Sequence, residues 1–365
     1  MEQFKKRVAL GALSIASVLF VVQCSGNRSV MPIANPGGAG VGDAAAGVSG
    51  HVLIADQWNN RIIEVGRNHR IVWHFGDGSA VAGPTSVVGP NDAERYGDGL
   101  TLIAGSGLPA GTIKACSSKP CPDNRVLVVN MAGSIVWQYG KAGVSGSGPD
   151  RLNVPVGAIH LPNGDVMVTD QGNQRVVEIT RAKKIVWQYG TTGKAGHGPN
   201  ELNNPNSAMV LANGHILIAD ESNNRVIEVA KDKKIVWQYG SPKDTKTLNG
   251  AAYACRLDSG DTLIPDSLNS RVIEVDASKK TVWSYKTNKQ RGSIKQPQTA
   301  HAVRLKNGDT LIANQIDNEV IEVTSSGKIV WQQGKIGPIG GKKFNEVNWP
   351  YDAKVVGDYT GITPP

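Results

Sequence analysis

The octapeptide KKIVWQYG occurs at residues 183–190 and again at 233–240, and related segments recur along most of the 365 residues. Repetition at a fixed period constrains a fold more than any local signal, because each unit must bury its apolar face against copies of itself. Thirty-residue units beginning at Leu161, Leu211, Leu257 and Leu305 align without gaps, the first reading LPNGDVMVTDQGNQRVVEITRAKKIVWQYG. A fifth starts at His51, and a sixth starts near Gly99, breaks off, and resumes at Asn124 after the insertion 105–123. The shared tryptophans are Trp73, Trp137, Trp187, Trp237, Trp283 and Trp331, spaced 64, 50, 50, 46 and 48 residues apart.

Within each unit the apolar residues follow a strand period, helical periodicity is nearly absent, and 43 glycines supply turns. Asn163-Gly164 and Asn307-Gly308 read as tight hairpins whose two central residues both take positive φ. Three strands follow each such turn and one precedes it. Four antiparallel strands in about 48 residues make one propeller blade. The expected fold is therefore all-β, a six-bladed β-propeller over residues 49–361. The first unit lacks a preceding strand; NWPYDAKVVGD from Asn348 resembles the other blade-opening segments, so the C-terminal strand is expected to complete the N-terminal blade and close the ring.

Neighbouring blades diverge outward, and the outermost strand needs bulky side chains to fill the gap at interior density. Trp187, Tyr189 and their counterparts are expected to be that filling rather than a ligand-stacking surface. A second repeated element, Asp-x-x-Asn-x-Arg, occurs at Asp56/Asn59/Arg61, Asp170/Asn173/Arg175, Asp220/Asn223/Arg225 and Asp266/Asn269/Arg271. Its Asp and Asn close turns through local bonds, and its Arg is expected to pair with a neighbouring Asp. The last unit departs with Asn314/Asp317/Glu319, a local reversal of charge.

This element, with Gly-Pro-x-x-Leu-Asn-x-Pro at 148–155 and 198–205, resembles the NHL-repeat propellers over residues from about 50 to 360. The resemblance implies the fold, and a face that binds a protein, nucleic acid or small ligand, without naming one. The ending Gly-Lys-Ile-Val-Trp at 327–331 is similar to the tryptophan-docking ending of quinoprotein (PQQ-like) propellers, but no quinone-binding set accompanies it.

Packing requires the shared residues, so departures from the repeat are the better guides to function. One position of the opening strands carries Asp352, Asp92, Gly157, Ser207, Tyr253 and His301 around the ring. His301, Asp352 and Asp92 lie on consecutive blades. If they face the channel mouth, two carboxylates and an imidazole suffice to hold a divalent cation, calcium or zinc, or to perform acid–base chemistry. The competing reading is that they bond backbone or channel water. The insertion 105–123 belongs at the same end and would overhang Asp92; Cys116 and Cys121, five residues apart, are expected to bridge within it. Cys255, in an apolar strand, reads as buried and inert.

Residues 1–26 have a basic start, Lys5, Lys6 and Arg7, then an apolar run from Val8 to Val22, then small residues. That is the layout of a secretory signal. An uncleaved anchor and lipidation at Cys24 are the alternatives, and 27–48 reads as a flexible linker. The expectation is an exported monomer, periplasmic or extracellular, whose only membrane tether would be this segment. The net charge is +8, of which this segment contributes +2. Basic residues cluster before the outer strands: Arg67 and Arg70, Arg181/Lys183/Lys184, Lys231/Lys233/Lys234, Lys279/Lys280 and Lys328. A basic face suits an anionic surface, whereas no aromatic interleaving of the kind that stacks bases is present, so nucleic acid is not expected. The partner expected is a protein, glycan or small molecule. The two function classes are a binding module and a metal-dependent propeller enzyme, a lyase or lactone hydrolase.

Overall fold

The computed structural model describes residues 50–97, 99–337 and 340–358. The signal, linker and Cys24 readings lie outside the described residues. Six four-stranded antiparallel sheets make up the fold, with only short 3-10 turns besides among the described residues. Blade 1 is ordered Pro350–Val355, Val52–Asp56, Arg61–Val65, Ile71–Phe75, so the C-terminal strand does complete the N-terminal blade. The inner strands of blades 2 to 6 are Pro90–Tyr96, Pro155–His160, Pro205–Val210, Cys255–Arg256 and Thr299–Arg304. Pro350–Val355 packs against the inner strands of both blade 2 and blade 6, which closes the ring.

The residue after the aligned position of Asp92, Gly157, Ser207, Tyr253, His301 and Asp352 is alanine in every blade: Ala93, Ala158, Ala208, Ala254, Ala302 and Ala353, all buried. Small side chains let six inner strands approach one axis. Outward the spaces widen and are filled by Trp73, Tyr139, Tyr189, Trp331 and Ile/Val/Leu from facing sheets.

The outer tryptophans do more than fill space. Five of the six indole Nε1–H groups reach the next blade's outer hairpin: Trp73 donates to Met131 O (3.0 Å), Trp137 to Arg181 O (3.1 Å), Trp187 to Lys231 O (3.2 Å), Trp283 to Ser325 O (2.8 Å) and Trp331 to Arg67 O (3.4 Å). A cation from the next blade lies over most of these rings, as Arg95 does over Trp73 at 4.4 Å. Trp237 keeps its cation, Arg256 at 4.9 Å, but its Nε1 has no partner.

Two expectations about turns need correction. In the inner hairpins Gly164 N–H bonds to Leu161 O and Leu161 N–H to Asp165 O, with φ +85° at Gly164 and no positive φ at Asn163. The turn is a type I turn followed by a left-handed glycine; Asn163 instead accepts the Asp165 N–H on its side chain. In the repeated Asp-x-x-Asn-x-Arg element, Arg pairs with the Asp of its own element. Asp170 Oδ2 takes Asn173 Nδ2 (2.7 Å) and Arg175 Nε (2.8 Å), while Oδ1 takes the Asn153 N–H (2.8 Å) of the loop entering the same blade. Asp56, Asp220 and Asp266 repeat the arrangement. Blade 6 keeps it with donor and acceptors exchanged: Asn314 Nδ2 donates to Asp317 (3.1 Å) and Glu319 (3.0 Å).

Candidate functional site

The inner-strand position singled out in the sequence forms a ring of latches between blades. Asp352 Oδ2 accepts the Ala93 N–H (3.0 Å), Asp92 Oδ2 the Ala158 N–H (2.8 Å), Ser207 Oγ the Ala254 N–H (3.2 Å) and His301 Nδ1 the Ala353 N–H (3.5 Å). In each case the acceptor reaches one blade onward to the alanine of the adjoining inner strand. Gly157 supplies no acceptor, and Tyr253 lays its ring edge against His301 at 4.5 Å. All five side chains are buried.

His301, Asp352 and Asp92 do come together: His301 Nδ1 is 3.2 Å from Asp352 Oδ1. A residue that the sequence reading did not select stands among them. Lys354 Nζ lies 3.0 Å from Asp92 Oδ1, 2.6 Å from Ala93 O and 3.6 Å from Asp352 Oδ2, and the side chain is 3% exposed. Glu94, also buried, accepts the His160 N–H at 3.0 Å. Lys354 and Glu94 occupy one position of the opening strands where other blades carry Ile159, Met209, Cys255 and Val303. A charge at an otherwise apolar position, two residues beyond an aspartate and so on the same side of the strand, was the available signal.

Burial raises the carboxyls of Asp92 and Asp352, with Lys354 opposing in both and Asp92 adding to the rise at Asp352. Burial likewise lifts Glu94 to about 7 against the pull of Lys354. Burial alone would lower Lys354, but attraction to Asp352, Asp92 and Glu94 carries it above its ordinary value, so it stays charged. Burial, then Lys354, hold His301 well below its ordinary value and hence neutral. The cluster is thus a lysine ammonium among three carboxyls that share its charge.

The insertion 105–123 extends the strands Leu100–Leu108 and Cys121–Val129 beyond the sheet, with Cys116 and Cys121 bridged at an S–S distance of 2.08 Å. Its apolar residues Leu108, Ile113 and Cys116 pack on Val88, Trp58, Ala80 and Ala82, which leans it toward blade 1. Asp123 preserves the repeated staple from the opposite strand, binding Arg125 and the Val88 N–H (2.7 Å). On its other side a cleft of about 220 Å³ opens between Leu108, Pro109, Pro120 and Pro122 and the loop entering blade 3, with Val154 and Asn153 as the far wall. Nearby, Trp58 and Trp349 stack with centroids 3.7 Å apart. Cys255 is buried in the inner strand of blade 5.

The basic clusters fall in the outer hairpins, at the opposite end of the strands. In every outer hairpin one residue takes the left-handed conformation: His69, Gly133, Lys183, Lys233, Lys279 and Gly327, with φ from +62° to +70° for the three lysines.

Among the described residues no group of three or more His, Cys, Asp or Glu has metal-holding geometry, and no helix is long and apolar enough to cross a membrane. No protein-family model and no curated protein sequence matches the chain. Solved structures do. A protein of unknown function from Bacteroides caccae superposes with a TM-score of 0.53 at 16% identity, covering 78% of this chain and 93% of that one. A streptogramin B lyase superposes at 0.45 with 14% identity, covering 66% and 67%. Virginiamycin B lyase from Staphylococcus aureus superposes at 0.44 with 16% identity, covering 66% and 68%. At 16% identity the likeness to the Bacteroides caccae protein is one of fold, and the fold of this chain is a six-bladed β-propeller.

Proposed function

We propose that the chain is an exported NHL-type propeller that works as a binding module, taking a peptide, glycan or small-molecule ligand at the cleft beside its clipped insertion. One observation carries this over the enzyme reading: Lys354 already supplies the cation between Asp92 and Asp352, and Asp92 Oδ2, Asp352 Oδ2 and His301 Nδ1 each accept the next blade's N–H. Groups so occupied and buried stabilise the hub; they are not poised for substrate. The cleft, by contrast, is built on the one long departure from the repeat and combines apolar walls with Ser106, Asn124, Ser145 and Asn153 as polar anchors.

The test is a thermal-shift screen of short peptides and oligosaccharides, followed by titration of the hits. Val154→Trp fills the cleft, and the backbone tolerates it, since Trp349 occupies the equivalent position of blade 1 with the same left-handed φ. Hits should weaken by about tenfold or more in Val154→Trp and be unchanged in His301→Gln. Loss in His301→Gln with retention in Val154→Trp would return the function to the hub.

A further inference from the structure

We propose that the outer hairpins of blades 3, 4 and 5 form a docking surface for an anionic lipid bilayer. The argument starts from a conformational oddity and is independent of the cleft. Lys183, Lys233 and Lys279 each take the left-handed backbone, at φ +62°, +70° and +67°, where the same hairpin of blades 2 and 6 has Gly133 and Gly327. The hydrogen bonds of the hairpins are the same, from Lys183 N–H to Thr180 O as from Gly133 N–H to Asn130 O, so glycine suits the position fully. A lysine there is strained on account of its Cβ. Blade 1 has His69 at this position, so it is blades 3, 4 and 5 in succession that place a lysine where glycine would be unstrained, and strain of this kind points to use of the side chain.

Each is exposed and followed by a further exposed lysine, Lys184, Lys234 and Lys280. Lys184, Lys233, Lys279 and Lys280 have no acidic partner among the described residues, whereas Lys183 lies 3.4 Å from Asp150 and Lys234 2.7 Å from Asp232. Immediately beyond come exposed aliphatic residues: Ile185 and Val186 at 37% and 57%, Ile235 and Val236 at 37% and 52%, and Val282 at 51%. Ammonium groups edged by exposed Ile and Val match a bilayer whose surface is anionic and whose interior is apolar. A soluble polyanion would engage the lysines alone.

The chain's path agrees. His51 begins the described propeller at the hairpin end of blade 1, where it lines a groove with Glu64, Arg67, Asn68 and Val356. The described residues therefore begin beside an outer hairpin, and the sequence ahead of them contains the apolar run from Val8 to Val22. One apolar segment holds a bilayer weakly, and a basic surface supplies a second attachment.

The experiment is flotation of the full chain with vesicles of phosphatidylcholine alone and of phosphatidylcholine with phosphatidylglycerol, at low and high salt. The triple variant Lys183→Gly/Lys233→Gly/Lys279→Gly relieves the strain, so lost binding cannot be ascribed to unfolding; its melting temperature is measured alongside. Wild type should prefer the anionic vesicles by about tenfold or more, salt should erase the preference, and the variant should lack it while melting no lower. Equal binding to both vesicles, or an undiminished preference in the variant, would overturn the proposal. Salt-sensitive retention on heparin without any preference for anionic vesicles would also overturn it, in favour of a glycan.

Discussion

Lys354 of blade 1 and Asp92 of blade 2 form a fully buried ion pair at 3.0 Å, and it ties together the strand that closes the ring and the first strand of the next sheet. A buried pair is a weak source of net stability, yet removing one partner is costly because the other charge is stranded. Lys354→Met should therefore destabilise the protein by about 3–5 kcal/mol in urea unfolding. Lys354→Met/Asp92→Asn should recover part of that loss. If the single variant unfolds at the wild-type midpoint, the ammonium is not the partner these carboxyls depend on.

Acidity should favour the fold over one definite range. Burial lifts Glu94 from 4.5 to about 7, and burial, opposed by amide donors, lifts Glu319 equally. A carboxyl raised on folding binds its proton more tightly in the native state, so its contribution is complete below its unfolded value and is lost as pH rises through the folded one. Each should cost about 1.4 kcal/mol per pH unit between roughly 4.5 and 7. Chemical denaturation across that window should show the decline, and Glu94→Gln should reduce its slope.

The interblade indole bonds can be weighed against an internal control. Trp187 donates to Lys231 O, whereas Trp237, in an otherwise equivalent place, has no such bond. Replacement by phenylalanine removes similar apolar area from both, so Trp187→Phe should cost about 1 kcal/mol more than Trp237→Phe. Equal losses in calorimetry would mean that the indoles act through packing alone.

Relief of strain is measurable at a single site. Lys233→Gly should raise stability by roughly 0.5–1 kcal/mol, the left-handed cost of a side chain less the extra entropy of an unfolded glycine. A loss of stability on that substitution would show that the lysine side chain supports the hairpin.

Much of the architecture could be read from letters because a repeat reports the same packing demand six times. Ring closure by residues near Asn348 was legible for that reason, as was the filling role of Trp187. The hub was half legible. Asp92, Asp352 and His301 stand out at one aligned position, whereas Lys354 and Glu94 sit at a position whose other occupants are apolar. Pairing depends on which blade lies next to which, and residues 92 and 354 become neighbours only after the ring has closed. The strained lysines were invisible as such: a lysine before an outer strand looks like any solvated turn residue until its φ is known. The exchange of Asn314 with Glu319 looked like a broken motif, although acceptor and donor had merely traded places around the same bonds.

The strand Pro350–Val355 supplies the inner edge of blade 1 and is synthesised after every other strand of the ring. Until it arrives, Val52–Asp56 presents an open row of backbone donors and acceptors, and open rows of this kind recruit other chains. A nascent or prematurely terminated molecule is consequently a different object from the finished one: five complete blades and a sixth able to borrow its missing strand from another molecule, so that translation past residue 355 decides between a solitary ring and a polymer.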